Sequence, residues 1–174
     1  DLSDVKQTNE PTGTALILVG ADGENMIAVV PGANGTMTAE DADAAIAKLS
    51  PGDIVMLQFE IPAPAVERML NAAREKGVTT VLNLAPLIED AARLGRLADV
   101  VIANETEFER LAGEDGMDSA AREAALKRLH AETGQTIIVT LGADGVIAAR
   151  GGALHRSAGL KITPVDTVGA GDTF

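Results

Sequence analysis

Short apolar runs alternate with amphipathic stretches along most of this chain, and glycine or proline marks nearly every junction. Ile54-Val55-Met56-Leu57 reads as a buried strand, followed by a helix over 65–76 with Val66, Met69, Leu70 and Ala73 on one face. Gly77 closes that helix, where a left-handed backbone is needed. The rhythm then repeats: a strand over 80–84, a short helix over 91–97, a strand over 100–102, and a helix over 105–112 stopped by Gly113. A longer helix over 119–132 turns Ala125, Leu126 and Leu129 inward and sets Glu123 four residues before Lys127 outside. A strand over 136–140 comes next, then two short ones at 146–149 and 154–156, split by Arg150-Gly151-Gly152. Apolar strands alternating with amphipathic helices predict a mostly parallel α/β sheet covered on both faces. Ligands bind beyond the carboxyl ends of such strands, here the loops after Leu57, Leu84, Ile102 and Val139.

The front of the chain differs. Two apolar runs, 15–19 and 26–30, flank the turn-rich Gly20-Ala21-Asp22-Gly23-Glu24-Asn25, which predicts a β-hairpin. Thr38 and Asp41 resemble a capping box opening a helix that runs to about Leu49 and stops at Ser50-Pro51-Gly52. The division expected is a hairpin segment over 1–35 and an α/β core over 36–174.

Composition removes several classes of function. The formal net charge is −12 over 174 residues, which opposes a phosphate backbone as partner, because binding one needs a basic face. Phe59, Phe108 and Phe174 are the only aromatics, too few for a base-stacking platform. No cysteine is present, so disulfides and thiolate metal sites are excluded, in keeping with a reducing cytoplasm. No apolar run approaches the ~18 residues of a membrane span.

Chemistry concentrates in the closing segment, Val165 to Phe174. Gly169, Ala170 and Gly171 let backbone approach a ligand without a bulky side chain between. A helix beginning at Asp172 would present unpaired N–H groups and a positive dipole end to an anion. A carboxylate there makes sense if Asp172 takes a proton from an attacking hydroxyl while amides hold a transferring phosphoryl group. Asp166-Thr167-Val168-Gly169-Ala170-Gly171-Asp172 resembles the carboxy-terminal signature of the ribokinase (PfkB-type) family of sugar kinases. Asn104-Glu105-Thr106-Glu107 resembles its Asn-x-x-Glu motif, and Thr140-Leu141-Gly142-Ala143-Asp144-Gly145 its nucleotide-contacting loop. Pro31-Gly32-Ala33-Asn34, Gln58-Phe59-Glu60 and Asn83-Leu84-Ala85-Pro86 point to the ribose-specific branch.

The resemblance implies a ribokinase-like three-layer α/β/α fold with a Rossmann-like sheet, and an activity that moves the γ-phosphoryl group of ATP to the primary hydroxyl of ribose. By the same resemblance, Asp172 is the catalytic base, and the amides of Gly169, Ala170, Gly171 and Asp172 hold the transferring group. Asn104 meets ATP phosphates, and Glu107 organises Mg²⁺ through water. Thr140, Leu141, Gly142, Ala143, Asp144 and Gly145 line the nucleotide site, with Gly142 and Gly145 permitting close approach. Asp166 and the carbonyl of Val168 form a monovalent-cation site suited to K⁺, and Glu60 contacts the sugar. The hairpin resembles part of a lid that pairs with a second subunit, so a homodimer of the full-length parent is implied, with no nucleic-acid or membrane partner. The family's sugar-gripping amino-terminal portion is not in this sequence, and the chain stops two residues after Asp172, so little or no activity is expected of this chain by itself. Plainer readings stand beside these: Asn104 caps a helix, Glu107 favours a helix amino end, Glu60 is an ordinary exposed carboxylate, and Asp144-Gly145 is a turn. His130 and His155 lack metal-ligand spacing. Functional alternatives are a kinase of another sugar or a nucleoside, and a non-catalytic nucleotide-binding module.

Overall fold

The computed structural model describes residues 2–20 and 25–161. Strands β1 (Thr14–Val19) and β2 (Asn25–Val30) pair antiparallel as a sheet of their own, with Ile17 opposite Ile27 and Ala15 opposite Val29. Helix α1 (Ala39–Ala47) starts at the expected capping box: Thr38 accepts from the Asp41 amide and Asp41 accepts from the Thr38 amide. The helix ends two residues short of Leu49.

The core sheet has six strands in sequential order: β3 (Ile54–Leu57), β4 (Thr79–Asn83), β5 (Val100–Ala103), β6 (Thr136–Thr140), β7 (Val146–Arg150) and β8 (Ala153–Ser157). The first four run parallel, and β7 and β8 are antiparallel additions. Between them lie α2 (Ala63–Lys76), α3 (Ala91–Gly95), α4 (Glu105–Ala112) and α5 (Ser119–Thr133). Helix α2 begins two residues before the sequence suggests, because Pro64 is tolerated in a first turn, where its missing N–H has no helical partner anyway.

Strand order explains where the core lies. Right-handed crossovers between strands that always advance in the same direction put every connecting helix on the same face. Leu82, Val101, Ile137, Val139 and Ile147 are buried on that face against Val66, Leu70, Leu94, Phe108, Leu111, Leu126 and Leu129. A second cluster joins Ala42 and Ile46 of α1 to Met69, Ala72 and Ala73 of α2. Burying a side chain such as Phe108 contributes on the order of 1.5–3 kcal/mol.

The α/β class and the mostly parallel sheet are as the sequence implies. Among the described residues, however, helices cover only one face of the sheet, and β3 is not the buried strand expected. Ile54 and Met56 are 63% and 75% exposed, whereas Val55 and Leu57 pack on the helices. The alternation of apolar strand and amphipathic helix is the same for one helical layer or two; the order of strands decides, and sequence periodicity does not encode it.

Long-range polar contacts fasten the periphery. Glu123 pairs with Arg156 of β8. His130 bridges α5 to the β7–β8 turn: the Gly152 amide donates to Nε2 at 2.9 Å, so Nδ1 carries the proton shared with the Gln135 carbonyl at 2.6 Å. These two bonds tie the end of α5 to the β7–β8 turn. Among the described residues no helix is long and apolar enough to cross a membrane.

Candidate active site

All four loops singled out from the sequence lie at the carboxyl end of the sheet, because β3 to β6 run parallel. Asn104 follows β5 and is the N-cap of α4. Its side-chain oxygen accepts from the Glu107 amide at 2.9 Å. In return its backbone amide donates to Glu107 Oε2 at 2.8 Å, and its Nδ2 donates to Oε1 at 2.9 Å. The capping reading of Asn104 is therefore correct, and Glu107, expected only to favour a helix amino end, completes a capping box. It does not exclude ligand chemistry, since each carboxylate oxygen keeps a free lone pair for an outer partner. Glu107 is only 7% exposed, and desolvation raises its carboxyl above the ordinary range despite the Asn104 amide, which pulls the other way.

Strand β6 lies beside β5, with Val139 opposite Ala103, and Thr140 donates weakly to the Ala103 carbonyl at 3.5 Å. The loop after it is closed on itself: the Leu141 amide donates to the Gly145 carbonyl at 2.8 Å, and Gly142–Asp144 form a 3-10 turn. Gly142, Ala143 and Asp144 are exposed on this loop, next to Asn104 on the neighbouring strand end.

The two glycines of this loop differ in role. Gly142, at φ +54, has nothing within 4 Å of where a Cβ would stand, so that side of the loop is open. Gly145 approaches its own chain closely: a Cβ there would lie 2.1 Å from the Ser157 carbonyl oxygen and 2.4 Å from the Gly159 nitrogen. Close approach on the Cβ side of Gly145 is thus to backbone at and just after the end of β8. Gly159 is its counterpart, since a Cβ on it would lie 2.2 Å from the Ala143 carbonyl oxygen. Sequence reasoning missed Gly159; its only signal is a glycine just beyond a hairpin.

Glu60 sits beyond β3 at the same end of the sheet, exposed, with its amide donating to Gln58 Oε1 at 2.6 Å. One strand, β4, lies between β3 and β5, so two inter-strand spacings separate them, roughly 10 Å. Together with Phe59, Pro86, Asn34 and the hairpin residues Ile17, Ile27 and Val29, it lines a cavity of about 810 Å³. The hairpin turns its Ala15–Val29 and Ile17–Ile27 pairs to this cavity, and Leu16, Leu18 and Met26 stand exposed on the other face. Asp166, Val168, Gly169, Ala170, Gly171 and Asp172 lie outside the described residues. Among the described residues no group of three or more His, Cys, Asp or Glu side chains could hold a metal ion.

The pfkB family carbohydrate kinases match this chain over residues 1–174. The chain belongs to that family. A curated ribokinase from Staphylococcus aureus is 36% identical over 170 residues, covering 98% of this chain and 56% of that protein. Among solved structures, a ribokinase from Thermotoga maritima superposes with a TM-score of 0.75 at 31% identity, covering 95% of this chain and 54% of that one. An Arabidopsis thaliana ribokinase complexed with ribose and ATP does so with a TM-score of 0.74 at 30% identity, with the same coverage. This pfkB chain spans about half the length of the curated relatives it matches.

Proposed function

We propose that this pfkB chain is part of a ribokinase, transferring the γ-phosphoryl group of ATP to the primary hydroxyl of D-ribose. One observation carries the reading. The Asn104–Glu107 cap and the Thr140–Gly145 loop meet at one end of the sheet, and a cavity bearing a carboxylate lies at that same end beneath an apolar hairpin. Glu60 and Asn34 offer polar partners to sugar hydroxyls, while Ile17, Ile27, Val29 and Phe59 suit the C–H face of a furanose and exclude water.

Asn104 at the amino end of α4 and the open side of the loop at Gly142 suit the triphosphate of ATP. Bound Mg²⁺ would neutralise charge on the transferring phosphate. The described residues fit it as an outer-sphere ion, since Glu107 has lone pairs to spare and Mg²⁺ keeps most of its waters. Asp172 takes the proton of the ribose hydroxyl, whose oxygen forms the bond to phosphorus as the bond to ADP breaks. Asp166 and the carbonyl of Val168 serve a monovalent cation, K⁺ by size and charge. A homodimer through the exposed hairpin face, with Leu16, Leu18 and Met26, and a cytoplasmic setting complete the proposal.

The test is ATP consumption by the full-length gene product that carries this chain, with ribose, fructose and adenosine as acceptors. Ribose should give the highest kcat/KM. Asp172→Asn should lower kcat by about 10²–10⁴-fold, the range of a lost general base, and Glu60→Gln should raise the KM for ribose while leaving that for ATP. Preference for adenosine would move the protein to the nucleoside branch, and ATP turnover indifferent to all acceptors and to Asp172→Asn would end the kinase reading.

A further inference from the structure

Arg122 stands apart from the other cations in ion pairs. Its side chain is 11% exposed, against 39–59% for Lys6, Lys48, Arg68, Arg93, Arg128 and Arg156. From the start of α5 it reaches across to α4, where Nη2 lies 2.7 Å from Glu105 Oε1 and donates to the Met117 carbonyl at 3.2 Å. Its Nε is buried without a hydrogen-bond partner. A second α4 carboxylate, Glu109, lies one turn below Glu105 and takes the Gly116 and Met117 amides at 3.0 and 2.8 Å. Those amides, with Arg122 adding its charge, hold the Glu109 carboxyl below the ordinary range.

Burying a guanidinium with an unmet donor costs free energy that an apolar residue of similar volume would not. The return is geometric. Glu105 is the first residue of α4, flanked by Asn104 and two residues before Glu107, so whatever fixes Glu105 fixes the cap of α4. We propose that Arg122 is a positioning residue for the nucleotide end of the site, holding the first turn of α4 in place through Glu105. Asn104 and Glu107 orient one another by their reciprocal bonds, but those bonds are internal to the turn and would move with it. Arg122 supplies the external anchor, and the planar fork of arginine suits it to two acceptors at once.

This inference rests on the kinase reading, and its test separates the two. In the full-length gene product, kcat, the KM values for ATP and ribose, and Tm are measured for Arg122→Met, Arg122→Lys, Glu105→Ala and the Arg122→Met/Glu105→Ala double variant. Arg122→Met should raise the KM for ATP about 3- to 10-fold while that for ribose stays within about twofold. Arg122→Lys should recover part of the loss. Glu105→Ala should reproduce most of it, and the double variant should add little to Arg122→Met, as for residues acting through one contact. A lower Tm with unchanged KM for ATP in Arg122→Met and Glu105→Ala would reduce Arg122 to a packing residue. Should Arg122→Met fail to fold, Glu105→Ala alone decides, since it leaves the buried side of the contact intact. A wild-type protein that consumes no ATP with any acceptor overturns the kinase reading and this proposal together; an active one with unmoved KM for ATP overturns this proposal only.

Discussion

Gly145 and Gly142 occupy one short loop, yet alanine should affect them very differently. At Gly142 a methyl group enters open space, and the cost is that of a left-handed backbone at φ +54, about 1 kcal/mol. At Gly145 the backbone is at φ 96 and ψ −124, which alanine does not tolerate, and its Cβ would collide with backbone atoms of residues 157–159. Gly145→Ala should therefore cost about 2–4 kcal/mol in urea unfolding, and equal costs at the two positions would show that the crossing is not as tight as described. Glu107 offers a test by pH. Desolvation raises its carboxyl in the folded state, so the folded protein holds that proton more tightly than the unfolded chain. The stabilisation is complete below the ordinary glutamate range and is lost as pH rises through the raised folded value. Glu107→Gln has no such titration, so its stability relative to wild type should improve as pH rises from about 4 to 7. A difference that stays constant over that range, measured by urea unfolding at several pH values, would contradict the burial cost. Glutamine keeps the bond from the Asn104 amide but not both carboxylate bonds, so the net change at neutral pH should lie within about 1 kcal/mol.

The first turn of α4 shows how much of an element can be carried by its cap. Asn104→Ala removes the acceptor for the Glu107 amide and one donor to its carboxylate, leaving that buried carboxylate with only the backbone N–H of residue 104. A loss of about 2 kcal/mol is expected, at the upper end for an N-cap because a partly buried charge loses a partner as well. Urea unfolding of the variant reads it directly, and a loss below about 0.5 kcal/mol would mean that α4 is held by packing alone. Elements of this kind were legible in the sequence, because their ends are set by neighbours in the chain: α4 runs from Glu105 to Ala112 as read, and β6 from Thr136 to Thr140. Asn104 as a cap and Asn104-x-x-Glu107 as a motif were legible too, whereas the reciprocal bond from the Asn104 amide to Glu107 was not read. What lay beyond the sequence is set by partners far along the chain. Glu123 sits at helical spacing from Lys127 yet pairs with Arg156. Gly145 faces Gly159 because β8 returns beside the loop, and Arg122 reaches Glu105 because α4 and α5 pack side by side. Composition and period give each element its type, whereas these contacts depend on topology.

For the whole molecule, one-sided packing has a consequence that can be measured. On the face of the sheet away from the helices, Ile54 and Met56 are largely exposed, and Val81, Ile102, Ile138 and Val146 are only partly buried. With the exposed Leu16, Leu18 and Met26 of the hairpin, this gives the 174-residue chain extensive apolar surface of a kind that marks association sites. Among the described residues β3 is an edge strand, on whose outer backbone groups another strand can align. Opposing association is the net charge of −12, whose self-repulsion reaches across about 10 Å at 0.1 M salt and only about 3 Å at 1 M. The two effects predict a definite salt dependence. The 174-residue chain at tens of micromolar should bind a hydrophobic dye, stay small in about 20 mM salt, and shift to larger species in sedimentation as salt approaches 1 M. Ile54→Lys/Met56→Lys places charge on the edge and the open face at positions that make little packing contact, so stability should change by less than about 0.5 kcal/mol. The same double substitution should remove most of the salt-driven growth and part of the dye binding. Association that weakens with salt would assign it to charge rather than to the open face, and growth untouched by the two lysines would move the contact to the hairpin.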